Sequence, residues 1–171
     1  MRPKKKKICY RKGVTLIEIL VSIVALTIAV IGTSYFRYYS ALDARKANIQ
    51  TTGTRIGLLL CESWKGVKGS DVFDPVTYFN SEMTIAADST IDFASHPITA
   101  PVAAQGFILL GTYAVQSNGV TFHAVLSYND ISAELRALNI IVIWENRGGV
   151  VTSSTDAGVL RSFKLTTYTS I

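Results

Sequence analysis

The chain has 171 residues and a formal charge of +5, from 17 Lys and Arg against 12 Asp and Glu. Apolar residues make up 49% of it and charged residues only 17%, which argues against a disordered chain and points to a membrane segment. The excess of positive charge lies in the first thirteen residues, which contain no acid and seven basic side chains: Arg2, Lys4, Lys5, Lys6, Lys7, Arg11 and Lys12. The remainder holds 10 basic and 12 acidic residues, which argues against a general nucleic-acid-binding surface.

The two cysteines are Cys9, inside this basic leader, and Cys61. If the leader stays cytosolic or is removed, the mature chain contains no internal disulfide. The sequence has no CxxC motif and no Cys/His cluster, so it predicts neither a structural zinc site nor any other cofactor.

An apolar run of nineteen residues, Val14–Gly32, follows the leader and contains one charge, Glu18. Its length is close to the roughly 20 residues that cross a bilayer core. The basic leader places the N-terminus in the cytoplasm and the body outside, and the aromatic residues of Tyr35–Tyr39 suit the opposite headgroup region. A buried core helix, a cleaved secretory signal and a plain uncleaved anchor are the alternatives.

Glu18 is the unusual residue of this run, because a carboxylate inside a membrane helix costs about 2.5–3.5 kcal/mol on insertion scales and should have a partner. A cut between Gly13 and Val14 would create a cationic α-amino group four residues before Glu18, one helical turn away.

The segment Gly13–Glu18, between a basic leader and an apolar helix, resembles the type III signal of type IV pilins and type II secretion pseudopilins. The resemblance implies that prepilin peptidase cleaves after Gly13 and methylates the new N-terminus at Val14. It assigns Glu18 to subunit assembly, and it makes the residues between them the processing motif: Thr15, Leu16 and Ile17. Two departures are Val14, where phenylalanine is usual, and Tyr35, where many major pilins have a proline.

The resemblance further implies a minor pilin or pseudopilin that assembles with other such subunits on an inner-membrane platform, into a type IV pilus or a type II secretion pseudopilus. Before assembly it would be a single-pass protein of the bacterial inner membrane with a periplasmic C-terminal domain. The alternative is an anchored periplasmic binding domain that does not polymerise.

Helical character continues beyond the apolar run. Leu42, Ile49 and Ile56 recur at intervals of seven between Ser40 and Trp64, which predicts an amphipathic continuation packed on a globular body. Gly53 and Gly57 have GxxxG spacing, which is interpreted as tight packing on a sheet rather than as a dimer motif. Cys61 is predicted to be a small buried apolar residue.

Residues 65–105 are predicted to be a long, irregular and variable connection, because prolines are scattered through weak periodicity. Its acids match no calcium-binding loop and are interpreted as solvated side chains: Asp71, Asp74, Asp88 and Asp92.

Four strands are predicted in the last third of the chain: Gly106–Gln116, Val120–Tyr128, Asn139–Glu145 and Val159–Tyr168. Asn118-Gly119 between the first two is a strong hairpin signal. In the second strand Val120, Phe122 and Leu126 predict a packed face, whereas Thr121, His123, Val125 and Ser127 predict a largely wet one.

The expected fold is α+β and pilin-like, with a long N-terminal helix packed against an antiparallel sheet of about four strands. The expected organisation is a cleaved leader (1–13), a transmembrane or filament-core helix (14–36), an amphipathic continuation (37–64), a variable region (65–105) and a sheet (106–171). No catalytic constellation is recognised, since neither His96 nor His123 has a Cys or acid pattern beside it, and the chain is predicted not to be an enzyme.

Overall fold

The structure is a computed structural model that describes residues 15–79, 83–145 and 160–171. Its elements in chain order are α1 (Leu16–Gly66), α2 (Pro75–Phe79), β1 (Ile85–Ala87), α3 (Ala100–Ala104), β2 (Ile108–Ser117), β3 (Val120–Ser132), β4 (Leu135–Glu145) and β5 (Leu160–Ser170). The leader, Gly13, Val14 and Val159 lie outside the described residues. A long N-terminal helix followed by an antiparallel sheet confirms the predicted α+β class.

The sheet has five antiparallel strands in the order β1-β2-β3-β4-β5, so each strand pairs with its neighbour in the chain. The additional strand, β1, comes from the segment predicted to be irregular, where Ile85 pairs with Val115. β3 ends later than predicted and β4 begins earlier, since the two strands remain paired as far as Ser132 opposite Leu135.

The turn between β2 and β3 is the one predicted from Asn118 and Gly119. Both residues have positive φ, 51° and 73° respectively. Two successive left-handed residues are the signature of a type I′ turn, whose twist matches that of the flanking strands. The hairpin prediction is therefore confirmed.

The C-terminal half of α1 packs against one face of the sheet. Its buried residues follow helical spacing and are Ile49, Gly53, Ile56, Gly57, Leu60, Cys61 and Trp64. They form one core with side chains of β2, β3 and β4 such as Val115, Phe122 and Val142. The predicted packing of the helix on the sheet and the predicted burial of Cys61 are both confirmed, and the buried positions of α1 begin at Ile49.

Of the described residues, 15–44 belong to a separate unit that contains the N-terminal half of α1. Every described residue from Thr15 to Ala41 is exposed. This stretch supplies a window of 18 residues with a mean hydropathy of 2.4, none of it buried. By length and composition, α1 can therefore cross a membrane.

The opposite face of the sheet is also covered, and here the sequence-based prediction was wrong. His123 and Ser127, expected on a wet face of β3, are buried. Ile91, Phe93 and Val102 pack over this face, against Val125 and Ile141. The alternation of polar and apolar residues in β3 did not reveal this, because the covering residues come from a distant segment that lacks periodicity of its own.

Candidate processing and assembly site

The described part of the predicted signal begins at the N-terminal end of α1. The carbonyl oxygen of Thr15 accepts hydrogen bonds from the backbone N–H groups of Glu18 (3.0 Å) and Ile19 (3.3 Å). Thr15 therefore lies at the N-cap position, and Glu18 occupies the third helical position. Thr15 and Glu18 thus have the spacing of a capping box, and a carboxylate in the first turn favourably faces the positive end of the helix dipole.

Glu18 is exposed in a strongly apolar environment. Leu16 and Ile17 before it are 83% and 71% exposed, and Ile19 after it is 51% exposed. Glu18 is the single charged residue between Leu16 and Phe36. Its carbonyl oxygen accepts a hydrogen bond from Ser22 Oγ at 2.7 Å. The segment therefore presents one carboxylate on an otherwise neutral surface.

The structure does not bring the whole predicted signal together. Thr15, Leu16, Ile17 and Glu18 are described as one helical start. Gly13, Val14 and the charged leader residues lie outside the described residues. The leader residues concerned are Lys4, Lys5, Lys6, Lys7, Arg11 and Lys12.

Two of the acids predicted to be solvated, Asp74 and Asp92, are exposed and also form local hydrogen bonds. Asp74 accepts from the Thr77 hydroxyl (2.6 Å) and from the N–H of Val76 (3.1 Å), and the Thr77 bond lowers the pKa of Asp74. Asp92 similarly accepts from Ser95 Oγ (2.7 Å). Within residues 15–79, 83–145 and 160–171, no group of three or more Cys, His, Asp or Glu side chains is arranged to hold a metal ion.

Sequence reasoning missed one polar cluster, on the sheet face opposite α1. Asp88 Oδ2 lies 2.5 Å from His123 Nδ1, although the two residues are 35 positions apart. Burial opposes ionisation of Asp88, but hydrogen bonds from Thr90 and His123 outweigh it and lower the pKa of Asp88. Burial, and then the proximity of His123, lower the pKa of His96. The expectations that His123 has no acid nearby and that Asp88 is solvated were both wrong. No local spacing could have revealed a contact between distant segments.

Comparison with known proteins bears on the N-terminus. The family model described as the prokaryotic N-terminal methylation motif matches residues 9–34. That stretch includes the described start of α1 as well as Gly13 and Val14. No curated protein and no solved structure shows significant similarity to this chain.

The motif and the fold are consistent with one another. The chain carries a type IV pilin-like prepilin signal, and its architecture of a long apolar helix with an antiparallel sheet is pilin-like. The motif supports processing by a prepilin peptidase, and the exposed apolar helix fits a single-pass, membrane-anchored protein. The motif is consistent with a structural subunit.

Proposed function

We propose that this chain is a minor pilin or pseudopilin, cleaved between Gly13 and Val14, methylated at Val14 and assembled with related subunits into a type IV pilus or a type II secretion pseudopilus. The observation that carries the proposal is the methylation motif at residues 9–34, which overlaps an apolar helical segment whose described residues are all exposed from Thr15 to Ala41. The inner-membrane platform and the periplasmic position of the C-terminal domain are part of this proposal.

The exposed half of α1 supports a role in two different apolar environments. Its side chains can contact lipid before assembly and similar helices of other subunits afterwards. In both environments its backbone needs no external hydrogen-bond partners, because an α-helix satisfies its own N–H and C=O groups internally. A helix of this kind can therefore leave the bilayer for a filament core without refolding.

The assigned role of Glu18 follows from the cost of an unpaired charge. Cleavage would release an amine four residues before Glu18, on this molecule or on a neighbouring one. An ion pair between that amine and the carboxylate relieves the cost of leaving an acid in an apolar core. Subunits that dock in the wrong register would leave both charges unpaired, so the pair favours one register.

The first experiment tests processing. The full chain is co-expressed with a prepilin peptidase, and its intact mass is measured. We expect a loss of residues 1–13 and a gain of one methyl group, and we expect Gly13→Arg to abolish both changes. Gly66→Arg is the matched control, because Gly66 is exposed at the far end of α1 with no atom near its Cβ position, and this variant should be processed.

This experiment also separates the proposal from its rival. A wild-type chain that keeps its lysine-rich leader would contradict the proposed processing and favour an anchored binding domain that does not polymerise. Processed Gly13→Arg protein would show that the cut lies elsewhere.

A second experiment tests assembly. Glu18→Ala should be cleaved normally but should be depleted in the filament fraction, by about tenfold for each 1.4 kcal/mol of lost pairing. Glu62→Ala removes an exposed carboxylate from the other half of the same helix and should assemble as the wild type does. Equal recovery of both variants in filaments would refute the role of Glu18.

A further inference from the structure

Residues 88–107 form a second layer on the sheet, which we call the cover. Its apolar side chains Ile91, Phe93 and Val102 pack against Val125 and Ile141. Val102 and Val125 are fully buried, so the contact is dry. The cover contains one short helix, α3, and is otherwise irregular. Apolar contact with the sheet and a few polar contacts therefore hold it in place.

The polar attachment is concentrated at the beginning of the cover. The backbone of Asp88 forms two hydrogen bonds with Thr112 of β2: its N–H donates to the Thr112 carbonyl (2.9 Å), and its carbonyl accepts from the side-chain hydroxyl of Thr112. Its carboxylate contacts His123 Nδ1 at 2.5 Å. At the other end, the Gln105 carbonyl accepts a single 3.5 Å bond from Asn129 Nδ2.

His96 lies inside the cover and is only 5% exposed. Its Nδ1 accepts a hydrogen bond from the N–H of Ile98 at 3.3 Å, which assigns the proton of the neutral ring to Nε2. His96 Nε2 is buried and has no hydrogen-bond partner among the described residues. In the neutral ring, Nδ1 therefore accepts a hydrogen bond, whereas the Nε2–H group has no acceptor among the described residues.

His123 has the complementary arrangement. Its Nδ1–H donates to Asp88, so the neutral ring carries a lone pair on Nε2. This atom is also buried without a partner among the described residues. A buried polar atom without a partner costs about 1–3 kcal/mol, and the cover and the sheet beneath it each contain such a histidine nitrogen.

Binding of a second proton to the buried ring of His96 is unfavourable. The proton must bind Nδ1, which turns the acceptor of the Ile98 N–H into a donor and breaks that hydrogen bond. It also places a cation in a buried site near a second imidazole. Burial, followed by the influence of His123, accordingly lowers the pKa of His96.

Within the part of the chain that the structure describes, no charged side chain forms a hydrogen bond with the His96 ring that would stabilise a second proton. The Asp88 carboxylate contacts His123. The Asp92 carboxylate accepts hydrogen bonds from Ala94 N–H (3.0 Å) and Ser95 Oγ (2.7 Å). The strands add two charged groups on this side of the sheet: Glu145 at the end of β4, and Lys164 on β5, which pairs with Ile141 of β4. β2 adds none.

We propose that the cover is an acid-sensitive latch: protonation of His96 breaks its bond to Ile98 and detaches residues 88–107 from the sheet, exposing the apolar face around Val125 and Ile141. This inference rests on the cover alone and does not depend on the proposed processing or assembly.

The sign of the pH dependence follows from linkage. Because the pKa of His96 is lower in the closed state than the ordinary value of about 6.5, closure favours the neutral ring. The stabilisation of the closed state is complete above pH 6.5. It is lost as the pH falls below 6.5 and through the pKa of the closed state. The opening equilibrium should increase by up to about tenfold for each pH unit in that window.

The test is hydrogen exchange of the full chain in detergent micelles, between pH 7.5 and 5, corrected for intrinsic exchange. Amides of residues 88–107 should exchange increasingly fast below pH 6.5, whereas those of β3 and β4 remain protected. His96→Asn retains a side-chain oxygen for the Ile98 N–H but does not titrate, so its cover should show no pH dependence. Asp74→Asn, outside the cover, should behave as the wild type does.

Two outcomes would overturn the proposal: cover exchange that is independent of pH in the wild type, or an unchanged pH dependence in His96→Asn. If His96→Asn fails to fold, an NMR titration of the wild-type ring decides, and a His96 pKa at or above 6.5 would refute the latch. Opening only below pH 4 would instead assign the effect to Asp88 and would also refute the role of His96.

Discussion

Gly53 and Gly57 determine how closely α1 approaches the sheet. A Cβ atom at Gly53 would lie 2.9 Å from Trp144 and 3.3 Å from Phe122, and one at Gly57 would lie 2.8 Å from Phe163. Trp144 is buried within the core, whereas Phe163 is half-buried on the edge strand β5. Because rings at an edge can move more freely than rings in a packed core, the two glycines should not be equally sensitive to substitution.

We expect Gly53→Ala to destabilise the protein by about 1–3 kcal/mol, the usual range for overpacking, and Gly57→Ala to cost less. Gly66→Ala is the control, since no atom lies near its Cβ position, and alanine there should be neutral or stabilising by up to about 1 kcal/mol. Urea unfolding followed by tryptophan fluorescence measures all three. An equal stability of Gly53→Ala and Gly66→Ala would show that the helix can move away from the sheet at no cost.

The stability of the β2–β3 hairpin depends on the backbone conformation of its two turn residues. Gly119 has a φ of 73° and no atom within 4 Å of its Cβ position, so an alanine there meets strain but no clash. Gly119→Ala should therefore cost about 1–2 kcal/mol. Asn118→Gly keeps a residue suited to positive φ and should change stability by less than about 0.5 kcal/mol. Thermal unfolding compares the two variants, and similar Tm values would contradict the role of the type I′ turn.

The elements that the sequence predicted correctly are those with local signals. The Asn118-Gly119 turn, the period of α1 and the Gly13–Glu18 signal are each contained in a short stretch. The contact of Asp88 with His123 joins segments 35 residues apart, and no spacing rule connects them. The cover escaped prediction for the same reason: residues 88–107 lack periodicity, and their burial depends on contacts with strands that are distant in the sequence.

At the scale of the whole molecule, the chain divides into two units with opposite relations to solvent. Residues 45–171 have their own apolar core, built from α1 and both faces of the sheet. Residues 15–44 present apolar side chains outward along α1. An exposed Leu or Ile side chain forgoes about 1.5–3 kcal/mol of burial, so a helix surface of this kind requires lipid, detergent or other protein.

A charge introduced into the first unit should therefore weaken membrane anchoring, whereas the same charge in the second should not. Val24 lies within the apolar run and is 50% exposed; Leu58 is 44% exposed but belongs to the unit that carries the core. Val24→Arg adds about 2.5–3.5 kcal/mol to the cost of insertion near the middle of a span, which corresponds to a loss of roughly 70- to 400-fold in the partition ratio. Leu58→Arg replaces one exposed side chain with another and should remain in the membrane. Alkaline extraction of membranes separates the two: Val24→Arg should move to the supernatant, and retention of both variants would show that the apolar half of α1 is not the anchor.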